Sequence, residues 1–289
     1  MLKLRNLIFL AVLFVLVGGY FFAQYKVEQV AKKQIDQIVA SAQPMVDMQY
    51  EDLSVNLFTR VTTLKNVNFS FPTFPAQTPI KVASLTGKME VNKDNILTYL
   101  NIKADKLQTP VDTTGMNSAS LAFFKQLNST TLVSNLKLKY THDLKTKDVD
   151  VKYDHQVENL GNIKLNMGLG NMPLEAATYE DLNPILVRNF ALTYTDNSLV
   201  PRLLTSFAEQ QGISKETLIA QIIQDINANV VAQQNQQMKG VMLEWEKFLK
   251  DPKQFSVKMN PPTPVSLGTL QTLAPDQLAQ QLKLDIKAE

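Results

Sequence analysis

TLVSNLKLKYTHDLKTKDVDVKYDHQVENLGNIKLNMGLGNM, residues Thr131–Met172, places apolar side chains at alternate positions in three successive runs. In the first, Leu132, Leu136, Leu138 and Tyr140 are apolar and Lys137 and Lys139 fall between them. Past Asp143–Thr146 the parity changes, and Val149, Val151, Tyr153 and Val157 alternate with Asp148, Asp150, Lys152 and Asp154. Past Asn159–Asn162, with Gly161 at its centre, Ile163, Leu165, Met167 and Leu169 keep that parity. Successive side chains on a strand point to opposite faces, so each run reads as a half-buried strand and each break as a turn. Pairing Leu136 with Tyr153, and Tyr153 with Met167, gathers the apolar residues on one face and leaves the charges on the other. The stretch predicts an antiparallel meander with one greasy and one solvated side, extended by a further strand at Ile185–Thr195.

Towards the amino terminus, Leu53, Val55 and Leu57 alternate with polar residues. After Phe58-Thr59-Arg60 a second run follows through Val61, Thr63, Lys65, Val67, Phe69 and Phe71, and together they predict a hairpin. Pro72, Pro75 and Pro79 end it, because proline cannot donate to a ladder. A strand over Lys81–Val91, a short helix over Asp94–Leu100, a strand over Ile102–Leu107 and a brief helix over Leu121–Leu127 are expected next.

Towards the carboxyl terminus the period becomes helical. Leu199, Val200, Leu203, Leu204, Phe207 and Ala208 form one stripe closed by Gly212. Ser214 can cap a second helix lined by Leu218, Ile219, Ile222, Ile223, Ile226 and Val230. These stripes predict a layer covering the sheet. A helical run to Leu249, a strand at Phe255–Met259 and a last strand around Ile286, returning to the sheet edge, complete the reading.

One stretch belongs to neither pattern. Leu7–Ala23, LIFLAVLFVLVGGYFFA, carries no charge and follows Lys3 and Arg5. As a helix it is about 25 Å long, near the lower limit for a bilayer core. With Leu7, Phe14 and Phe22 in the hydrocarbon it reads as a signal-anchor. Lys3 and Arg5 then keep the amino terminus cytoplasmic and the rest of the chain is exported. A signal peptide cleaved near Gly19 is the competing reading. Val27, Ala31, Ile35, Ile38 and Ala42 argue against it, since they carry the helical period on as far as Pro44.

The expected fold is α+β: an N-terminal transmembrane helix, then a curved, mostly antiparallel β-sheet partly covered by C-terminal helices. The segments are an anchor over 1–23, a juxtamembrane helix over 24–44 and a sheet region over 45–196. An amphipathic helical layer over 197–252 and a returning strand and helix over 253–289 follow.

Composition narrows the function. The 289 residues hold 29 Lys+Arg against 27 Asp+Glu, and beyond Lys3 and Arg5 the two signs balance. Beyond Arg5 the arginines are Arg60, Arg188 and Arg202, too scattered for a phosphate-reading surface, so nucleic acid is not an expected partner. Absence of cysteine removes disulfides, thiol catalysis and cysteine metal sites. The two histidines, His142 and His155, fall about 20 Å apart along the meander and share neither a metal nor a relay. Asp148, Asp150 and Asp154 read as a solvated strand face, with calcium a poor second. Gly168 and Gly170 lack the following helix of a phosphate loop, and no nucleophile–base motif occurs. No catalytic residue, metal or cofactor is expected.

YEDLSVNLFTRVTTLKNVNFSF (Tyr50–Phe71), DNSLVPRLLTSFAEQQGISKETLIAQI (Asp196–Ile222) and NPPTPVSLGTL (Asn260–Leu270), behind one anchor, resemble the AsmA-like and YdgA-like bacterial envelope proteins. The resemblance implies a Gram-negative inner-membrane protein whose apolar β-surface handles lipid, and it carries over no catalytic residue. Leu136, Tyr153, His155, Leu165 and Met167 are the expected lipid-facing residues. The partners expected are the bilayer, a lipid ligand and another envelope protein. A non-catalytic assembly component that binds a protein is the alternative, and a hydrolase is the weakest of the three readings.

Overall fold

The computed structural model describes residues 26–289 except 34, 38, 41–46, 73–77, 112, 114, 115, 117, 128, 174–179, 234 and 235. Helical residues 26–33, 35–37 and 39–40 (α1) precede strands β1 (Asp47–Gln49), β2 (Asp52–Val55), β3 (Thr62–Ser70), β4 (Ile80–Val91) and β5 (Leu97–Pro110). Helix α2 (Ser118–Leu127) leads into β6 (Thr131–Asp143), β7 (Asp148–Val157), β8 (Gly161–Gly170) and β9 (Leu186–Asp196). Helices α3 (Leu199–Gln211), α4 (Lys215–Gln233) and α5 (Gln236–Lys250) follow. The chain then forms β10 (Gln254–Met259), β11 (Val265–Ser266), α6 (Leu267–Thr272), α7 (Pro275–Gln281) and β12 (Asp285–Ala288). The class is α+β. The strands form one open, antiparallel, 12-stranded sheet in the order β1-β3-β4-β5-β6-β7-β8-β9-β10-β12, with β2 on β3 and β11 on β9.

The meander has the expected faces in a different register. Leu138, not Leu136, lies opposite Tyr153, and Tyr153 lies opposite Leu165, not Met167. Both pairings are displaced by two residues, which preserves every face. The turns explain the displacement. Asp143 stays in β6 and pairs with Asp148, while its Oδ1 accepts from the amides of Lys145 at 2.8 Å and Thr146 at 3.4 Å. Lys147, at φ 58°, closes that loop. The second loop turns at Asn159, at φ 61°, a conformation asparagine tolerates better than most side chains. Gly161 is already in β8, opposite Val157. It is glycine because β9 is close: a Cβ there would lie 2.8 Å from the Thr195 carbonyl oxygen.

Three further expectations change. Asp94–Leu100 is not a helix. Asn92 Oδ1 accepts from the amides of Asp94 and Ile96, both at 2.9 Å, and makes a turn from which β5 departs at Leu97. The alternation expected from Val61 to Phe71 breaks at Asn66, at φ 50°, so that Leu64 and Val67 share the buried side. Lys106, also at φ 50°, breaks β5 at the same level, and its amide donates to Asn135 Oδ1 at 2.9 Å. Across this crease Leu64 lines up with Leu85 and Ala104, and Val67 with Val82 and Leu107.

Helices α3 and α4 place their stripes on each other rather than forming the expected layer over the sheet. Leu204, Ala208, Leu218 and Ile219 form a cluster with Val200, Ile213, Ile222, Ile223 and Leu249 around it. Gly212 ends α3 at φ 66°, and Ser214 Oγ accepts from the Thr217 amide at 3.1 Å to start α4. Among the described residues no helix is long and apolar enough to cross a membrane, and Leu7, Phe14 and Phe22 lie outside those residues.

Candidate functional site: the apolar face of the sheet

Three rows of side chains cross the sheet on one face. The first runs Leu85, Ala104, Leu136, His155, Ile163, Tyr194, Phe255. The second runs Gly87, Ile102, Leu138, Tyr153, Leu165, Leu192, Val257, and the third Met89, Leu100, Tyr140, Val151, Met167, Phe190, Met259. No Asp, Glu, Lys or Arg occurs in any row. The expected lipid-facing residues are therefore neighbours: Leu136 and His155 in the first row, Tyr153 and Leu165 in the second, Met167 in the third. Their row-mates Leu138, Tyr140, Val151, Ile163 and Leu192 belong to the same surface and follow from the same parity.

Each end of this face is covered. At the β2–β5 end, Leu64, Val67, Val82 and Ala104 form a buried core against which Ile35 of α1 packs. The Tyr50 hydroxyl donates to Asp36 Oδ1 at 3.3 Å, and the Val55 amide to Glu28 Oε1 at 3.4 Å. At the β9–β12 end, α5 lays Trp245 and Phe248 on Phe255, with ring centroids 4.4 and 5.5 Å away. Phe248 also meets Tyr194 edge-on at 5.9 Å, and Glu244 Oε2 accepts from the Ala288 amide at 2.8 Å.

Between those covers none of the nine row residues of β6, β7 and β8 is fully buried, and Ile163 is 40 % exposed. Met89 is 59 % exposed, and a Cβ added at Gly87 would meet nothing within 4 Å. Interior strands thus carry an apolar surface that stays partly exposed among the described residues.

Polar groups on this face are few, and the apolar surroundings hold them neutral. Desolvation pushes the Tyr140 and Tyr153 hydroxyls above their usual range. Tyr194 is driven further up, by burial first and then by its 2.6 Å hydrogen bond to Asp196 Oδ1. Desolvation lowers the His155 pKa, and the neighbouring Asp154 charge opposes part of that effect. His155 sits 5.9 Å from the Tyr153 ring, centroid to centroid.

His142 lies opposite Val149, and His155 opposite Leu136. They remain six residues of strand apart, on the order of 20 Å. His142 is buried, and its Nε2 has no hydrogen-bond partner among the described residues. Among the described residues no group of three or more His, Asp or Glu could hold a metal ion. Asp148 and Asp150 are partnered on the opposite face by Arg188, at 3.4 and 2.8 Å.

A family model described only as an uncharacterized protein matches residues 154–289, from within β7 to beyond β12. No curated protein matches the chain.

Proposed function

We propose that this chain is an envelope protein anchored in a bacterial inner membrane by Leu7–Ala23, with the sheet outside the cytoplasm. We further propose that the sheet binds or passes lipid along its apolar face, without catalysis. The observation that carries the reading is the charge-free surface of β6–β8, partly exposed between α1 and α5 among the described residues. At about 4.8 Å between strands and about 6.6 Å between rows, the face from β5 to β9 measures about 19 by 13 Å. That area suits one or two acyl chains. Contiguous exposed apolar surface on a folded protein marks an interaction site, and this one has no ionic group to recognise a charged partner. The resemblance to AsmA-like and YdgA-like proteins supports the same reading.

The test is native mass spectrometry of the detergent-extracted protein. Lipid should be retained by the natural sequence and lost from Leu165→Asp, because an unpaired charge in an apolar contact is costly. A folded Leu165→Asp variant that keeps its lipid would refute the placement. The assembly reading is favoured by one observation elsewhere. Leu243 and Trp245 of α5 are exposed and line, with Ile223 and Ile226, a cleft of about 260 Å³ that suits a partner's apolar side chain.

A further inference from the structure

Where β6 begins and β7 ends, Leu127 of α2 and Arg202 of α3 look across an open cleft of about 720 Å³. Its wall is mostly polar, in contrast to the apolar rows. Ser129, Thr131, Asn159, Asn197 and Ser198 line it, together with Glu158. Arg202 is half-buried and held in place by two neutral acceptors. Its Nε donates to Ser198 Oγ at 3.0 Å and its Nη1 to the Gln126 carbonyl oxygen at 3.3 Å.

Arg188 provides the contrast. That guanidinium is also half-buried, but two aspartates neutralise it. Among the described residues no carboxylate lies within 4.0 Å of Arg202. Guanidinium offers five N–H donors; Nε gives its only one to Ser198, and three on Nη1 and Nη2 are left by the two bonds named. The Thr131 hydroxyl and the side-chain amides of Asn159 and Asn197 likewise have no partner among the described residues. A half-buried cation that lines the same cleft as unpartnered neutral donors is what an oxyanion needs, because an N–H bond from a charged donor to an anionic oxygen is about twice as strong as one between neutral groups.

We propose that this cleft binds a phosphate group, as the free ion or as a monoester, with Arg202 as its charged anchor and Thr131, Asn159 and Asn197 as neutral donors. The exposed Glu158 on the same wall opposes the ligand and sets a limit on its charge. The site does not depend on lipid occupying the apolar rows. Its ligand is either a free solute or the headgroup of an amphiphile, and the chemistry recognised is the same.

Isothermal titration of the full chain in a neutral detergent, with inorganic phosphate and octyl phosphate as probes, tests this. At least one probe should bind the natural protein, more weakly as salt rises. Arg202→Gln should lower that affinity at least about tenfold. Glu158→Gln should raise it about two- to fivefold by removing a like charge. Binding of octyl phosphate alone would assign the site to a lipid headgroup, and equal binding of both probes would assign it to a free ion. The proposal is overturned if neither probe binds, or if Arg202→Gln leaves the affinity unchanged. Should Arg202→Gln loosen the α2–α3 packing, Glu158→Gln and Asn197→Ala decide, and unchanged affinity in both overturns it equally.

Discussion

Two regions of the same sheet face differ in what lies on them. At the β3–β5 end, Leu64 and Val67 are 5 % and 0 % exposed, and α1 closes over their cluster. Four and five strands along, Tyr153 on β7 and Leu165 and Met167 on β8 occupy the same face and stay half-buried. Both regions gather apolar residues on one side, by strict alternation in β6–β8 and across the break at Asn66 in β3, so the pattern says only which side of a strand is greasy. It does not say whether anything sits on that side. Cover comes from α1 and α5, which lie outside the meander, and it decides whether a residue stabilises the fold or remains available to a ligand.

The comparison breaks most readily by truncation at the covered ends. Leu64→Ala and Phe248→Ala should each cost about 2–5 kcal/mol in denaturant unfolding, since a cavity replaces a packed side chain. Leu165→Ala in the open middle should cost less than about 1 kcal/mol, because water or a ligand fills the space left. Equal losses at Leu64 and Leu165 would mean that the middle is core.

Charge sharpens the contrast next. Leu64→Asp should fail to accumulate as folded protein, whereas Met167→Asp should fold and lose only co-purified lipid. Circular dichroism separates the two outcomes, and a misfolded Met167→Asp would show a cover over β8.

A smaller effect depends on pH. Desolvation lowers the His155 pKa in the folded state, so between the folded value and the unfolded value near 6.5 the unfolded chain binds more protons. Stability should therefore fall as pH drops below about 6.5, and His155→Phe should flatten that part of the profile. Parallel profiles for the two proteins would place the His155 ring in water.

The least change is expected at Arg188. Its pairs with Asp148 and Asp150 lie on the solvated face, so Arg188→Gln should cost on the order of 1 kcal/mol or less and leave lipid retention untouched.

Much of this architecture is legible in the chain, for reasons that also show where legibility ends. The faces of β6–β8 can be read from parity, because a slip of two residues leaves parity unchanged. The register cannot be read that way, and it depends on Asp143 and Asn159 taking turn geometries that composition signals only weakly. The crease through Asn66 and Lys106 escapes notice because lysine gives no hint of a left-handed backbone. The stripes of α3 and α4 show that something must cover them, and a neighbouring helix satisfies that need as well as a sheet does. The Arg202 cleft is invisible in sequence, since its donors come from three separate segments. The only prior signal is the scarcity of arginine.

Strand order has a consequence for how the molecule is made. From β3 to β9 each strand stands beside the one synthesised just before it. A growing chain can therefore add one hairpin at a time to an existing edge, without waiting for a remote partner, which keeps loop-closure costs small. The exception comes at the far end, where α3, α4 and α5 must emerge before β10 can reach β9. Until then β9 is an uncapped growing edge, and that interval is when a nascent chain of this protein is most exposed to pairing with the wrong strand.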